Sequence, residues 1–214
     1  MTSTEALIRN LTADLTPVRR RDVWREAGAL LALGAVELAL ILAVQGMRPG
    51  MGRMILSPDV AWKIGSLALL AGVACTAAVR SFAPPARPRR GVELTLGLAG
   101  LAIIGGALVT PAAESGRSLL DRLSPAQGMI CATSIVVLAL PIMTLLAVLM
   151  RRAAPVHPKR SALATGLAAS LCGALIFTAC CPMNDPLYII VWYSAGVAAV
   201  TAAARWLLPR RFRL

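Results

Sequence analysis

Residues 161–196 read SALATGLAASLCGALIFTACCPMNDPLYIIVWYSAG. An apolar run ends in two adjacent cysteines, a turn of Pro, Asn and Asp follows, and a second apolar run opens with tyrosine and tryptophan. A helix crosses the hydrocarbon core of a bilayer with about 20 apolar residues. The stretch therefore reads as a helical hairpin through a membrane, with thiols at its corner.

The rest of the chain repeats the pattern. Of its 214 residues 57% are hydrophobic, 4% aromatic and 15% charged, against about 25% charged in soluble domains. Mean hydropathy is +0.72. Six apolar runs are long enough to cross, at about 27–45, 61–79, 92–110, 126–150, 161–180 and 187–208. None alternates in segments of about ten residues, which excludes a transmembrane barrel. The expected fold is an all-α polytopic membrane protein with six transmembrane helices. It divides into residues 1–22, a cytosolic N-terminal segment, and 23–214, the six-helix domain. No secretory signal peptide is expected, because the first run is full length and lacks a small-residue cleavage site.

A formal charge of +12 would suggest nucleic acid in a soluble protein. Here the charges alternate with each crossing. The N-terminal segment, the loops after spans two and four and the C-terminal end hold 17 Lys and Arg residues. The other loops hold five: Arg48, Arg53, Lys63, Arg117 and Arg122. The positive-inside rule then places both termini in the cytosol, and direct nucleic-acid binding is not expected. Trp24, Trp62, Trp192 and Trp206 fall near the predicted boundaries, as aromatic belts do.

Before the first span, Thr2 and Glu5 have capping-box spacing. Leu7, Ile8, Leu11 and Leu15 line one helical face, Pro17 ends the pattern, and Arg19, Arg20 and Arg21 follow. Such a helix could lie on anionic lipid. Glu5 and Asp14 suit a lipid surface poorly, which favours docking into a groove on a cytosolic partner.

Five cysteines occur. Cys131 lies 20 residues before Arg151, and Cys181 lies 20 residues after Ser161. At 1.5 Å per residue both sit about 30 Å above the cytosolic boundary, so they share the outer level. Three readings are open for this pair: small packing residues, a structural disulfide, or a switchable thiol pair that oxidises or transiently binds a soft metal ion. Two thiolates are too few for a structural zinc centre. Cys180 has the right depth but points about 100° away from Cys181 on a helix. Cys75, near the cytosolic side, and Cys172, near mid-membrane, read as packing residues.

At these residues a family resemblance emerges. LIRNLTADLTPVRRR, the C…LALP of span four, RRAAP after it, and CPMNDPLYIIVWY occur here in this order. The chain resembles NrsF, the negative regulator of sigma F, a family of six-span bacterial inner-membrane proteins. The resemblance covers essentially the whole chain and is specific at both ends; over residues 46–125 it is one of hydropathy. It implies a membrane-bound anti-sigma factor that holds an extracytoplasmic-function sigma factor at the cytosolic face and releases it under redox or heavy-metal stress. The family's N-terminal pattern maps onto Leu11, Asp14, Leu15, Pro17, Val18, Arg19 and Arg20, and its two outer cysteines onto Cys131 and Cys181. Cys180 departs from the pattern, which leaves open which of the adjacent thiols senses. Pro141, ten residues below Cys131, reads either as a static kink or as the bend through which such a shift passes.

Weaker features are read as structural. Glu37 in span one is expected to be neutral or hydrogen-bonded to a residue such as Ser66. Gly97, Gly100, Gly105 and Gly106 are expected to allow close packing in span three. Met47, Met51 and Met54 read as filler, and His157 alone builds no metal site. Carboxylate pairs, phosphate loops, a Ser-His-Asp set and C-x-x-C are all missing, so neither an enzyme nor a cofactor is expected. The rivals are a quinone-linked membrane thiol oxidoreductase and, further off, a small transporter.

Overall fold

The computed structural model describes residues 3–13, 22–46, 57–82, 88–109, 122–153 and 157–210. Among them are seven helices and no strands: α1 (Ser3–Ala13), α2 (Val23–Gln45), α3 (Pro58–Ser81), α4 (Pro88–Val109), α5 (Pro125–Ala153), α6 (Pro158–Thr178) and α7 (Pro186–Arg210). The six after α1 are long and apolar enough to cross a membrane.

Five of these six open on a proline. At the first helical position proline loses nothing, because that N–H has no intrahelical acceptor, and its fixed φ favours the first turn. These starts lie one to four residues before the boundaries expected from hydropathy, since capping turns need not be apolar. In α2 the start is a side-chain cap instead, with Asp22 accepting from the Trp24 N–H at 3.1 Å.

α6 is the central post and touches all five other spanning helices. Its apolar window is 83% buried, against 6% for α2. The reason is side-chain size: SALATGLAAS keeps the helix thin, so neighbours approach its backbone. A Cβ on Gly173 would lie 2.9 Å from the Ala139 nitrogen of α5, and one on Gly166 would lie 2.9 Å from the Thr201 Cα of α7. Close approach was expected in span three instead. There Gly97 and Gly100 meet nothing, while Gly105 and Gly106 face the Trp62 ring. Span three is peripheral, with α3 as its main neighbour; the small residue that brings it close to α3 is Gly91, whose Cβ would lie 2.6 Å from the Ala77 Cβ.

The tryptophans divide. Trp24 and Trp206 are exposed. Trp62 and Trp192 instead turn inward and fasten helices together. Trp62 donates to the Ala102 carbonyl at 3.0 Å and Trp192 to the Leu123 carbonyl at 2.7 Å. Pro141 sits on an exposed flank of α5, and the helix continues through it to Ala153.

Candidate functional site

The site lies where α6 gives way to α7. Thr178 ends α6, yet the Cys181 N–H still bonds to the Phe177 carbonyl at 3.0 Å, so one further turn is wound. Pro182 offers no N–H and stops it. Asp185 then accepts from the Leu187 N–H at 2.9 Å, capping α7 ahead of Pro186. The same carboxylate receives a two-pronged bond from Arg122, at 2.9 and 2.8 Å. This half-buried fork ties the start of α7 to the segment before α5, in the strongest geometry open to an Arg–carboxylate pair.

That extra turn aims the two thiols apart. Cys181 Sγ lies 3.9 Å from Cys131 Sγ, both buried. Cys180 Sγ turns to the Gly46 carbonyl at 3.7 Å. Gly46 caps α2 with φ +75, a conformation natural to glycine. Cys131 Sγ also bonds Tyr188 Oη at 3.0 Å, and Tyr188 is fully buried.

A cation completes the cluster. Lys63 was counted with the loop charges, but it lies inside α3 and is almost wholly buried. Its ammonium donates to the Met183 carbonyl at 2.9 Å and stands 5.2 Å from the centre of the Tyr193 ring. The Cys181 thiol is pushed down to about 5, first by its hydrogen bond with Cys131 and then by the Lys63 charge. Burial pushes Cys180 up. The adjacent thiols thus stand in different surroundings, Cys181 against a second thiol and Cys180 against a backbone carbonyl, and it is the thiolate form that acts as nucleophile and metal ligand. Among the described residues no three His, Cys, Asp or Glu side chains converge on a metal-sized site; soft-metal capture would rest on the two sulfurs.

Lys63→Met is expected to raise the Cys181 pKa, since a nearby cation favours the charged form. In a variant whose only cysteines are Cys131 and Cys181, the ultraviolet thiolate absorbance should titrate at higher pH once Lys63 is replaced. An unchanged midpoint would show that Lys63 does not act on this thiol.

The packing role expected of Cys75 and Cys172 stands untouched, but the expected difference in depth is corrected: their sulfurs lie 3.3 Å apart. In an α-helix each Cβ leans toward the N-terminus. Across the antiparallel α3 and α6 the two side chains therefore lean toward each other. Glu37, expected to be neutral or hydrogen-bonded to a residue such as Ser66, is buried with neither carboxyl oxygen partnered; the second alternative is set aside, since Ser66 donates to the Lys63 carbonyl of its own helix at 3.3 Å.

Of the N-terminal residues singled out, Leu7, Ile8 and Leu11 lie on α1 and are more than half exposed. Asp14, Leu15, Pro17, Val18, Arg19 and Arg20 lie outside the described residues, as do Met47, Met51 and Met54. His157 is exposed beside the start of α6.

Residues 11–214 match the family described as NrsF, negative regulator of sigma F. The curated relative Anti-sigma-F factor NrsF of Caulobacter vibrioides (strain NA1000 / CB15N) is 30% identical, with 96% of this chain and 98% of the relative covered. No solved structure matches.

Proposed function

Given that the chain belongs to the NrsF family of negative regulators of sigma F, we propose that it is a six-span inner-membrane anti-sigma factor. It sequesters an extracytoplasmic-function sigma factor through its cytosolic N-terminal segment. It lets that factor go when Cys131 and Cys181, on the periplasmic side, meet an oxidant or a soft metal ion.

The observation that carries the reading is the bare apolar stripe of α1. Leu7, Ile8 and Leu11 are 59%, 56% and 65% exposed on one face of a short helix. An amphipathic helix of this kind binds by laying that face in a groove. Asp14, Arg19 and Arg20 supply charge complementarity beside it. The orientation is supported by the 17-to-5 split of basic residues. The protein acts by binding, without turnover.

The sensing half is supported by the sulfur geometry. A disulfide needs the 3.9 Å separation to close to about 2.0 Å. Closing it pulls Cys131 from Tyr188 and drags the corner that also touches Gly46 at the end of α2. The other end of α2 leads to the N-terminal segment, so α2 is the element that links sensor to clamp.

A photo-cross-linking residue at Leu11, introduced into the full chain in its own membrane, tests the docking. Capture of a sigma factor that disappears after oxidant treatment is expected. Cross-links to lipid alone would make α1 a membrane-surface helix and remove the clamp.

A further inference from the structure

We propose that Cys75 and Cys172 form a second redox centre, inside the bilayer, which an organic hydroperoxide from the lipid phase oxidises to a disulfide. The sulfurs lie 3.3 Å apart, closer than the outer pair, and a bond asks them to approach by little more than about 1 Å. Cys172 is also reachable. It lines an open cavity of about 380 Å³ between α2, α3, α5 and α6, walled by Leu30, Leu38, Ile64, Ile142 and Leu175. Leu31, on its rim, is 76% exposed, so the cavity is entered from the flank of the bundle that faces lipid.

The cavity's chemistry selects the oxidant. Thr178 brings the one hydroxyl in the lining, and it already donates to the Ala174 carbonyl at 2.9 Å. A quinone would find nothing to hold its carbonyls. A hydroperoxide needs only an apolar bed for its body and a thiol at its peroxide oxygen.

The steps balance. Cys172 sulfur attacks the terminal peroxide oxygen and the O–O bond breaks. The thiol proton passes to the departing alkoxide, giving one alcohol and a sulfenic acid at Cys172. Cys75 sulfur then displaces the hydroxyl, which leaves as water with the Cys75 proton. Two thiols and one hydroperoxide become one disulfide, one alcohol and one water. This centre stands apart from Cys131 and Cys181 and does not depend on sigma-factor binding.

The test uses the full chain in phospholipid nanodiscs, treated with cumene hydroperoxide or hydrogen peroxide and mapped by peptide mass spectrometry. A Cys75–Cys172 cross-linked peptide is expected. It should form at least about tenfold faster with the cumyl compound, whose apolar body partitions into the cavity. Cys75→Ser should stop the reaction at a dimedone-trapped sulfenic acid on Cys172. In the wild-type protein, both thiols remaining alkylatable after treatment, or equal rates with the two peroxides, would overturn the proposal.

Discussion

Deleting residues 1–20 is expected to turn on the sigma factor's genes in unstressed cells while leaving the protein in the membrane. The six spanning helices begin at Val23 with their own cap, Asp22, and α1 has no appreciable packing against them, so the bundle loses nothing it rests on. What is lost is the partner's grip. Each of Leu7, Ile8 and Leu11 contributes on the order of 1.5–3 kcal/mol when withdrawn from water. Even at the low end, the three together are worth about 4.5 kcal/mol, or on the order of two-thousandfold in affinity. A sigma-dependent reporter read beside membrane fractionation checks this. Repression that survives the deletion would move the binding surface elsewhere on the cytosolic face.

The opposite phenotype is expected when Cys131 and Cys181 are both replaced by serine: repression persists, and the response to oxidant or soft metal falls to the uninduced level. Serine keeps the size and a hydrogen bond to Tyr188, but it can neither form a disulfide nor bind a soft cation. Each single replacement should do the same, because a pair needs both members. Cys180→Ser should leave the response in place, since that sulfur turns toward Gly46 and away from Cys131. A reporter titrated with oxidant separates the cases. A normal response in the double variant would take the detector away from this corner.

The spans, the apolar stripe of α1 and the common level of Cys131 and Cys181 were legible in the sequence, because each follows from distances along one chain. A helix rises by a fixed step, so counting 20 residues from Arg151 and from Ser161 places the two sulfurs at one level. What needs the rotation of one helix against another was hidden. Cys75 and Cys172 differ in nominal depth and meet through side-chain lean. Lys63, two residues past an expected boundary, reads as a loop charge until α3 is seen to begin at Pro58 and to bury it. Tyr188 and Asp185 were in view in CPMNDPLYIIVWY. The Asp-Pro pair is a helix-start signal that would have placed the cap, but nothing in one sequence announces that Asp185 also grips Arg122.

The thin post at the centre of the bundle has a mechanical corollary. Where helices meet backbone to backbone, with methyls and hydrogens between them, few bulky side chains have to hop rotamers before one rod glides past another. A shift of about 2 Å at one tip of a rod about 30 Å long is then a swing of only about 4°. So slight a pivot can be shared by the whole assembly, and a contact made at one rim becomes a change of angle at the other.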